Sequence, residues 1–185
     1  EALVQTNRVF DVENLDLSSN KLTWRGAHQL FHCHLFKNLK RLYLGENNIS
    51  DKGIKELPSA DFAENLSLLD LRYNNIGPAG GLAVVQSEKF RKLQVLIFQE
   101  NPVGDETLIT LAKAPTFANL RKLNFYRTDI TPKGIKVLAK SKVLQRVKQL
   151  NIARNYLHFE SARLLGNTKT LTNIETLLMY DTGIG

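Results

Sequence analysis

An asparagine or threonine returns every 27 residues along this chain, at Asn20, Asn47, Asn74, Asn101, Thr128, Asn155 and Thr182. A period held this strictly restricts the fold to stacked copies of one supersecondary unit, because a single unit of this size cannot bury its apolar face alone. The same spacing surrounds each polar residue: apolar-x-x-apolar-x-apolar-x-x-Asn/Thr-x-apolar. It reads Val12, Leu15, Leu17, Asn20, Leu22 in the first copy and Leu93, Leu96, Phe98, Asn101, Val103 in the fourth. In the seventh it reads Ile174, Leu177, Met179, Thr182, Ile184. The period-two apolar pair marks a short strand with one buried face. Seven strands are therefore predicted, centred near 15–17, 42–44, 69–71, 96–98, 123–125, 150–152 and 177–179.

The Asn stands where the chain must turn inward. A buried turn has to satisfy its backbone groups, and a carboxamide both donates and accepts. Thr128 and Thr182 keep one donor and acceptor, so a slightly weaker ladder is expected at those two turns. Six residues later comes a small residue, Gly26, Gly53, Gly80, Thr107, Gly134 or Ser161, which lets the returning segment pack against its neighbour. The apolar positions that follow (Ala27 and Leu30, Ile135 and Leu138) lie on one helical face. Thr131-Pro132 reads as a cap and first turn, Asp105 as another cap, and Gly80-Gly81 should weaken the third helix.

This pattern resembles the leucine-rich repeat family, and within it the ribonuclease-inhibitor-like class with full convex helices. The resemblance extends over nearly the whole chain. The stretch TDITPKGIKVLA (128–139) is also similar to the cysteine-containing repeats of ubiquitin-ligase subunits. The fold implied is an α/β horseshoe solenoid, one domain over residues 1–185, with a parallel concave sheet and convex helices. Residues 1–11 fit the helical half of a preceding repeat, with Leu3 and Val9 at its apolar positions. No capping unit is evident at either end, so a piece of a longer chain is expected.

A hydrophobic share of 43% supports one continuous core, and no apolar run reaches membrane-spanning length. The single cysteine, Cys33, excludes an internal disulfide framework and points to a reducing, intracellular compartment. The abundance of Asn and Lys, and a ladder built on Asn, lean toward a bacterial protein, including one delivered into a host cell.

In the repeat template, four outward positions flank the apolar pair of each strand, 28 in all. They hold four of the five tyrosines and four of the ten arginines, but one of the fifteen lysines. Tyrosine and arginine are enriched at protein–protein interfaces and lysine depleted. Strand preference alone accounts for the tyrosines but not for the arginine–lysine split. The predicted contact residues are Tyr43, Arg72, Tyr73, Ile97, Tyr126, Arg127, Arg154 and Tyr180, beside an apolar patch of Leu68, Val95 and Ile97. Charge on this face balances: Arg41, Arg72, Lys122, Arg127 and Arg154 against Asp16, Glu46, Asp70, Glu100 and Asp181. A phosphate-tracking surface would be a basic stripe, so a protein partner fits better than nucleic acid.

The net charge of +7 therefore resides elsewhere. Lys133, Lys136 and Lys140 share one face of the fifth helix. They read either as a solvated convex surface or as an electrostatic dock for acidic lipid, nucleic acid or protein. His28 and His32 have the i, i+4 spacing of metal ligands, but the sequence places no carboxylate beside them, so no metal is expected. Nothing resembles a phosphate loop or nucleophile elbow, Cys33 lacks an ordered base, and no catalytic residue, cofactor or small-molecule substrate is predicted. The expected activity is binding a protein across the concave sheet. The resemblance implies either an inhibitor or regulator that covers an enzyme, or the recognition arm of a ubiquitin ligase, immune sensor or bacterial effector.

Overall fold

The computed structural model describes residues 11–184; the earlier helical half expected from Leu3 and Val9 lies outside them. Seven three-residue strands form one parallel sheet in chain order: β1 (Asn14–Asp16), β2 (Arg41–Tyr43), β3 (Leu68–Asp70), β4 (Val95–Ile97), β5 (Lys122–Asn124), β6 (Gln149–Asn151) and β7 (Thr176–Leu178). Each residue pairs with the one 27 further on, Leu15 with Leu42, Leu69 with Leu96, Leu150 with Leu177. Between them run α1 (Trp24–Phe31), α2 (Ser50–Ile54), α3 (Pro78–Val85), α4 (Gly104–Lys113), α5 (Pro132–Leu138) and α6 (His158–Gly166). Short 3-10 turns complete the second, third and fourth returns. Strands stack about 4.8 Å apart while packed helices need about 8–10 Å, and that mismatch bends the stack toward its sheet. No described helix is long and apolar enough to cross a membrane.

The core lies between the two layers. Leu42, Leu69, Leu96 and Leu123 point into it from the sheet, and Leu57, Val84, Leu111 and Leu138 from the returns. Phe98 and Phe125 pack edge to face with centroids 5.5 Å apart.

The polar residue of each repeat closes the core where strand becomes turn. The Asn101 Oδ1 accepts from the amides of Asn74 (3.0 Å) and Ile76 (2.9 Å) in the previous repeat. Its Nδ2 donates to Leu71 O, Phe98 O and Gln99 O. Asn47 and Asn155 repeat this arrangement. Thr128 and Thr182 each donate one hydroxyl bond, to Phe125 O and Met179 O in their own repeats. The weaker ladder expected there is what the structure contains: a hydroxyl is too short to bridge repeats.

The residue before each ladder position is left-handed in all seven repeats, and none is glycine: Ser19, Glu46, Tyr73, Glu100, Arg127, Arg154 and Asp181, with φ of 49 to 58°. Such a backbone is disfavoured for L-residues. It is retained because it swings the next side chain into the core. Sequence pattern did not reveal it, since glycine is its usual mark.

Thr131 caps α5 as expected, accepting from Lys133 N. Asp105, expected to cap its own helix, instead accepts from Thr131 N, Thr131 Oγ1 and Gly134 N, and so holds the start of the following one. Asp51 likewise reaches forward to Gly77 N. The small residue after the ladder is required by space: a Cβ on Gly53 would stand 2.7 Å from Ile49 Cγ2 and 3.0 Å from the Trp24 Cα. α3 forms through both of its glycines.

Replacing Asn101 by Ala strands several buried backbone groups and should cost about 2–4 kcal/mol. Thr128→Ala removes one bond within its own repeat and should cost only about 1 kcal/mol. Urea unfolding of the two variants checks the order; equal losses would contradict the ladder's role.

Candidate functional site

Because the strands pair in register, outward residues 27 apart form columns across the sheet. The column of left-handed residues is linked side chain to side chain. Ser19 Oγ donates to Glu46 at 2.9 Å. Tyr73 Oη and Arg127 NH1 both donate to Glu100, at 3.4 and 3.1 Å. Arg154 Nε stands 3.3 Å from Asp181. Three of the predicted contact residues, Tyr73, Arg127 and Arg154, are thus held by acids of the neighbouring repeat.

The next column runs Ser18, Gly45, Arg72, Gln99, Tyr126, Ala153, Tyr180. At its far end, Tyr126 and Tyr180 come from the fifth and seventh repeats, two strands apart. Ala153 lies between them in the column and is fully buried, and its small side chain leaves the two rings free to lean together, centroids 6.2 Å apart. The Arg154 guanidinium lies 5.9 Å from the Tyr126 ring. Four predicted residues, Tyr126, Arg127, Arg154 and Tyr180, therefore share one end of the face. Two tilted rings in contact beside a guanidinium offer a partner large apolar area with little side-chain entropy left to lose.

Elsewhere on the face the geometry corrects the sequence reading. Asp70 is an outward residue by register, yet it is completely buried. Arg72 covers it: NH2 sits 2.6 Å from Asp70 Oδ2, an ion pair out of hydrogen-bonding line, while the Arg72 amide donates to Oδ1. The arginine stem crosses Gly45, where a Cβ would come within 2.9 Å of Cγ. Arg72 thus neutralises a buried charge. Tyr43 and Ile97 are half-buried, separated from the tyrosine pair, and Leu68 and Val95 are half-buried where an open apolar patch was expected. Asp16, at the first strand, accepts from Ser18 N, and the Ser18 backbone and hydroxyl hold its carboxyl below the usual range.

Two exposed aromatics escaped the strand template: Tyr156, 79% exposed, and Phe159, 69% exposed, in the turn and first residues of α6. Their signal was the departure from repeat consensus: the equivalent places hold Asn48, Asn75 and Asp129, and Asp51, Asp105 and Pro132. Tyr156 lies edge-on to His158 at 5.8 Å.

On the helical side, Lys133 bonds Glu106 at 2.6 Å, which holds the carboxyl below and the ammonium above their ordinary values. Lys113, Lys136, Lys140 and Lys142 rim a groove of about 510 Å³ floored by Ala112, Val137 and Val143. Cys33 is half-buried, and burial pushes its thiol up; Sγ donates to Leu30 O, which does not favour a thiolate. At α1, the expectation of no carboxylate beside His28 and His32 is overturned: Glu56, past the end of α2, approaches both rings at 4.0 and 3.8 Å.

The sequence profile of the family described as Leucine Rich repeat matches residues 37–57 and 63–85, in the second and third repeats. The fold is a leucine-rich-repeat solenoid. No curated protein matches the chain in sequence. Among solved structures, an internalin from Listeria monocytogenes is similar, with a TM-score of 0.60 at 17% identity. The match covers 90% of this chain and 47% of the internalin, so the leucine-rich repeats here span about half of that chain's length.

Removing the guanidinium that covers Asp70 should make Arg72→Ala lose about 2–3 kcal/mol in urea unfolding, despite Arg72 being partly exposed. Asp70→Ala combined with Arg72→Ala should recover most of it. A loss in the single variant of a few tenths would mean the pair is not structural.

Proposed function

We propose that this leucine-rich-repeat chain is a protein-interaction module whose partner docks on the sheet face, centred on Tyr126, Arg154 and Tyr180. The observation that supports this most is the meeting of two tyrosines and an arginine over the buried Ala153. Tyr180 is 55% exposed there, on a short-stranded sheet that needs no rearrangement to present it. A preformed surface loses little entropy on docking. Tyr73 and Arg127 extend the contact along the glutamate-linked column, Tyr43 and Ile97 form its thinner far side, and Arg72 supports it from below. Arg72, Arg127 and Arg154 are paired with Asp70, Glu100 and Asp181 within the protein, so binding is to rest on aromatic area and shape more than on net charge. Inhibition of an enzyme and recognition within a larger protein both use such a face, and the single thiol fits a reducing compartment inside a cell, including a host cell reached by a bacterial protein.

The test is affinity capture with the chain immobilised, comparing wild type with Tyr126→Ala/Tyr180→Ala and with Lys136→Glu/Lys140→Glu. The tyrosine variant should lose at least about tenfold in affinity for the captured protein, as expected for loss of a hot spot. The lysine variant should keep it. The opposite pattern would refute the sheet-face reading.

A second reading is favoured by the lysine-rimmed groove beside α5, where an apolar floor lies under four ammonium groups. Such a groove suits an acidic amphiphile. Vesicles containing anionic lipid should then bind the chain at low salt, and release it when ionic strength rises about tenfold and the Debye length shortens from about 30 Å to 10 Å. Binding indifferent to salt, or unchanged in Lys136→Glu/Lys140→Glu, would exclude it.

A further inference from the structure

We infer that His28, His32 and Glu56 form a binding site for a divalent cation of the zinc class, clasping the first two helical returns together. The three ligand atoms lie within 4.8 Å of one another, the one such cluster among the described residues. Two pairs are closer, His28 Nδ1 to Glu56 Oε2 at 4.0 Å and His32 Nε2 to the same oxygen at 3.8 Å. Ligand atoms about 2.0–2.1 Å from a tetrahedral zinc stand about 3.4 Å apart, so small side-chain rotations bring these onto one ion.

The surroundings are already arranged for ligation. His32 Nδ1 lies 2.9 Å from His28 O. A carbonyl only accepts, so Nδ1 carries a proton, and in the neutral ring Nε2 is the nitrogen left to bind a metal on the Glu56 side. Metal-bound histidines are commonly oriented in this way, the distal N–H given to a backbone carbonyl. The two rings, one in α1 and one on the residue that ends it, lie with centroids 4.3 Å apart. Glu56 comes from the next repeat, which explains why one repeat read alone has no carboxylate ligand. His34 is turned elsewhere, onto Asp61, and the Cys33 thiol onto Leu30 O. Nitrogen and carboxylate ligands without a thiolate suit zinc, cobalt, nickel or copper and not calcium or magnesium. Three protein ligands leave the fourth position to water or to a donor from outside the chain.

The experiment titrates the chelator-stripped chain with zinc chloride against a chromophoric competitor, and with cobalt chloride for its visible absorption. One equivalent should bind, with tetrahedral cobalt bands and no sulfur-to-metal charge transfer. His32→Ala and Glu56→Gln should each weaken binding at least about tenfold, in line with the sensitivity of such sites to their ligands. Cys33→Ser and His34→Ala should leave it unchanged. All three ligands are surface side chains, and circular dichroism verifies that each variant stays folded. Zinc should also raise the Tm of wild type and not of Glu56→Gln. No binding by wild type at 100-micromolar zinc on the order of a weak surface site, binding untouched by Glu56→Gln, or binding lost with Cys33→Ser would each overturn the site.

Discussion

Backbone groups at a buried turn have nowhere to go but a side chain, and in this protein that side chain is the ladder asparagine. Its carboxamide binds carbonyls of its own repeat and of the one before, and takes amides from the one before. Every other regularity follows. The strand must end four residues earlier, the preceding residue must be left-handed to aim the amide inward, and the return must have the same length each time. Bonds at a separation of 27 tie the repeats to each other, so no repeat is complete alone. A solenoid of this kind has its stability distributed between neighbours.

The same register determines what the sheet face displays. Side chains of one column meet their counterparts one or two repeats away, and charges are matched along the left-handed column, as in Glu100 with Arg127 and Arg154 with Asp181. Basic charge without such partners accumulates over the helices, around the groove of Lys136 and Lys140. A large substitution in one column opens space or fills it for the repeats on either side. Ala153 between Tyr126 and Tyr180 is the case that shapes the candidate site.

The fold was legible in the sequence because its cause is periodic: the 27-residue step names strand, turn and return without reference to distant contacts. The weak ladder positions at Thr128 and Thr182 were legible for the same reason. Columns on the sheet face could be assigned, but not which members are open. Asp70 and Arg72 sit at outward positions, and only their rotamers reveal one buried under the other. Glu56 could not be joined to His28 and His32 by reading within a repeat, because the contact crosses from α1 to the end of α2. Tyr156 and Phe159 went unnoticed because the strand template ends before them, and Asp105 was given the wrong helix because its reach is forward by a repeat. In each case the missing information is contact between repeats at side-chain detail.

Hydrogen exchange of individual ladder amides, followed by NMR in the native protein, tests the governing claim most directly. The amides of Asn74 and Thr128 donate to the carboxamides of Asn101 and Asn155 and should exchange slowly, close to the rate set by global unfolding. Those of Asn101 and Asn155 face Thr128 and Thr182, whose hydroxyls are turned to their own repeats, and should exchange markedly faster although both residues are buried. Uniform protection at all four positions would contradict the account, because it would mean that the turns are held by something other than the asparagine carboxamide.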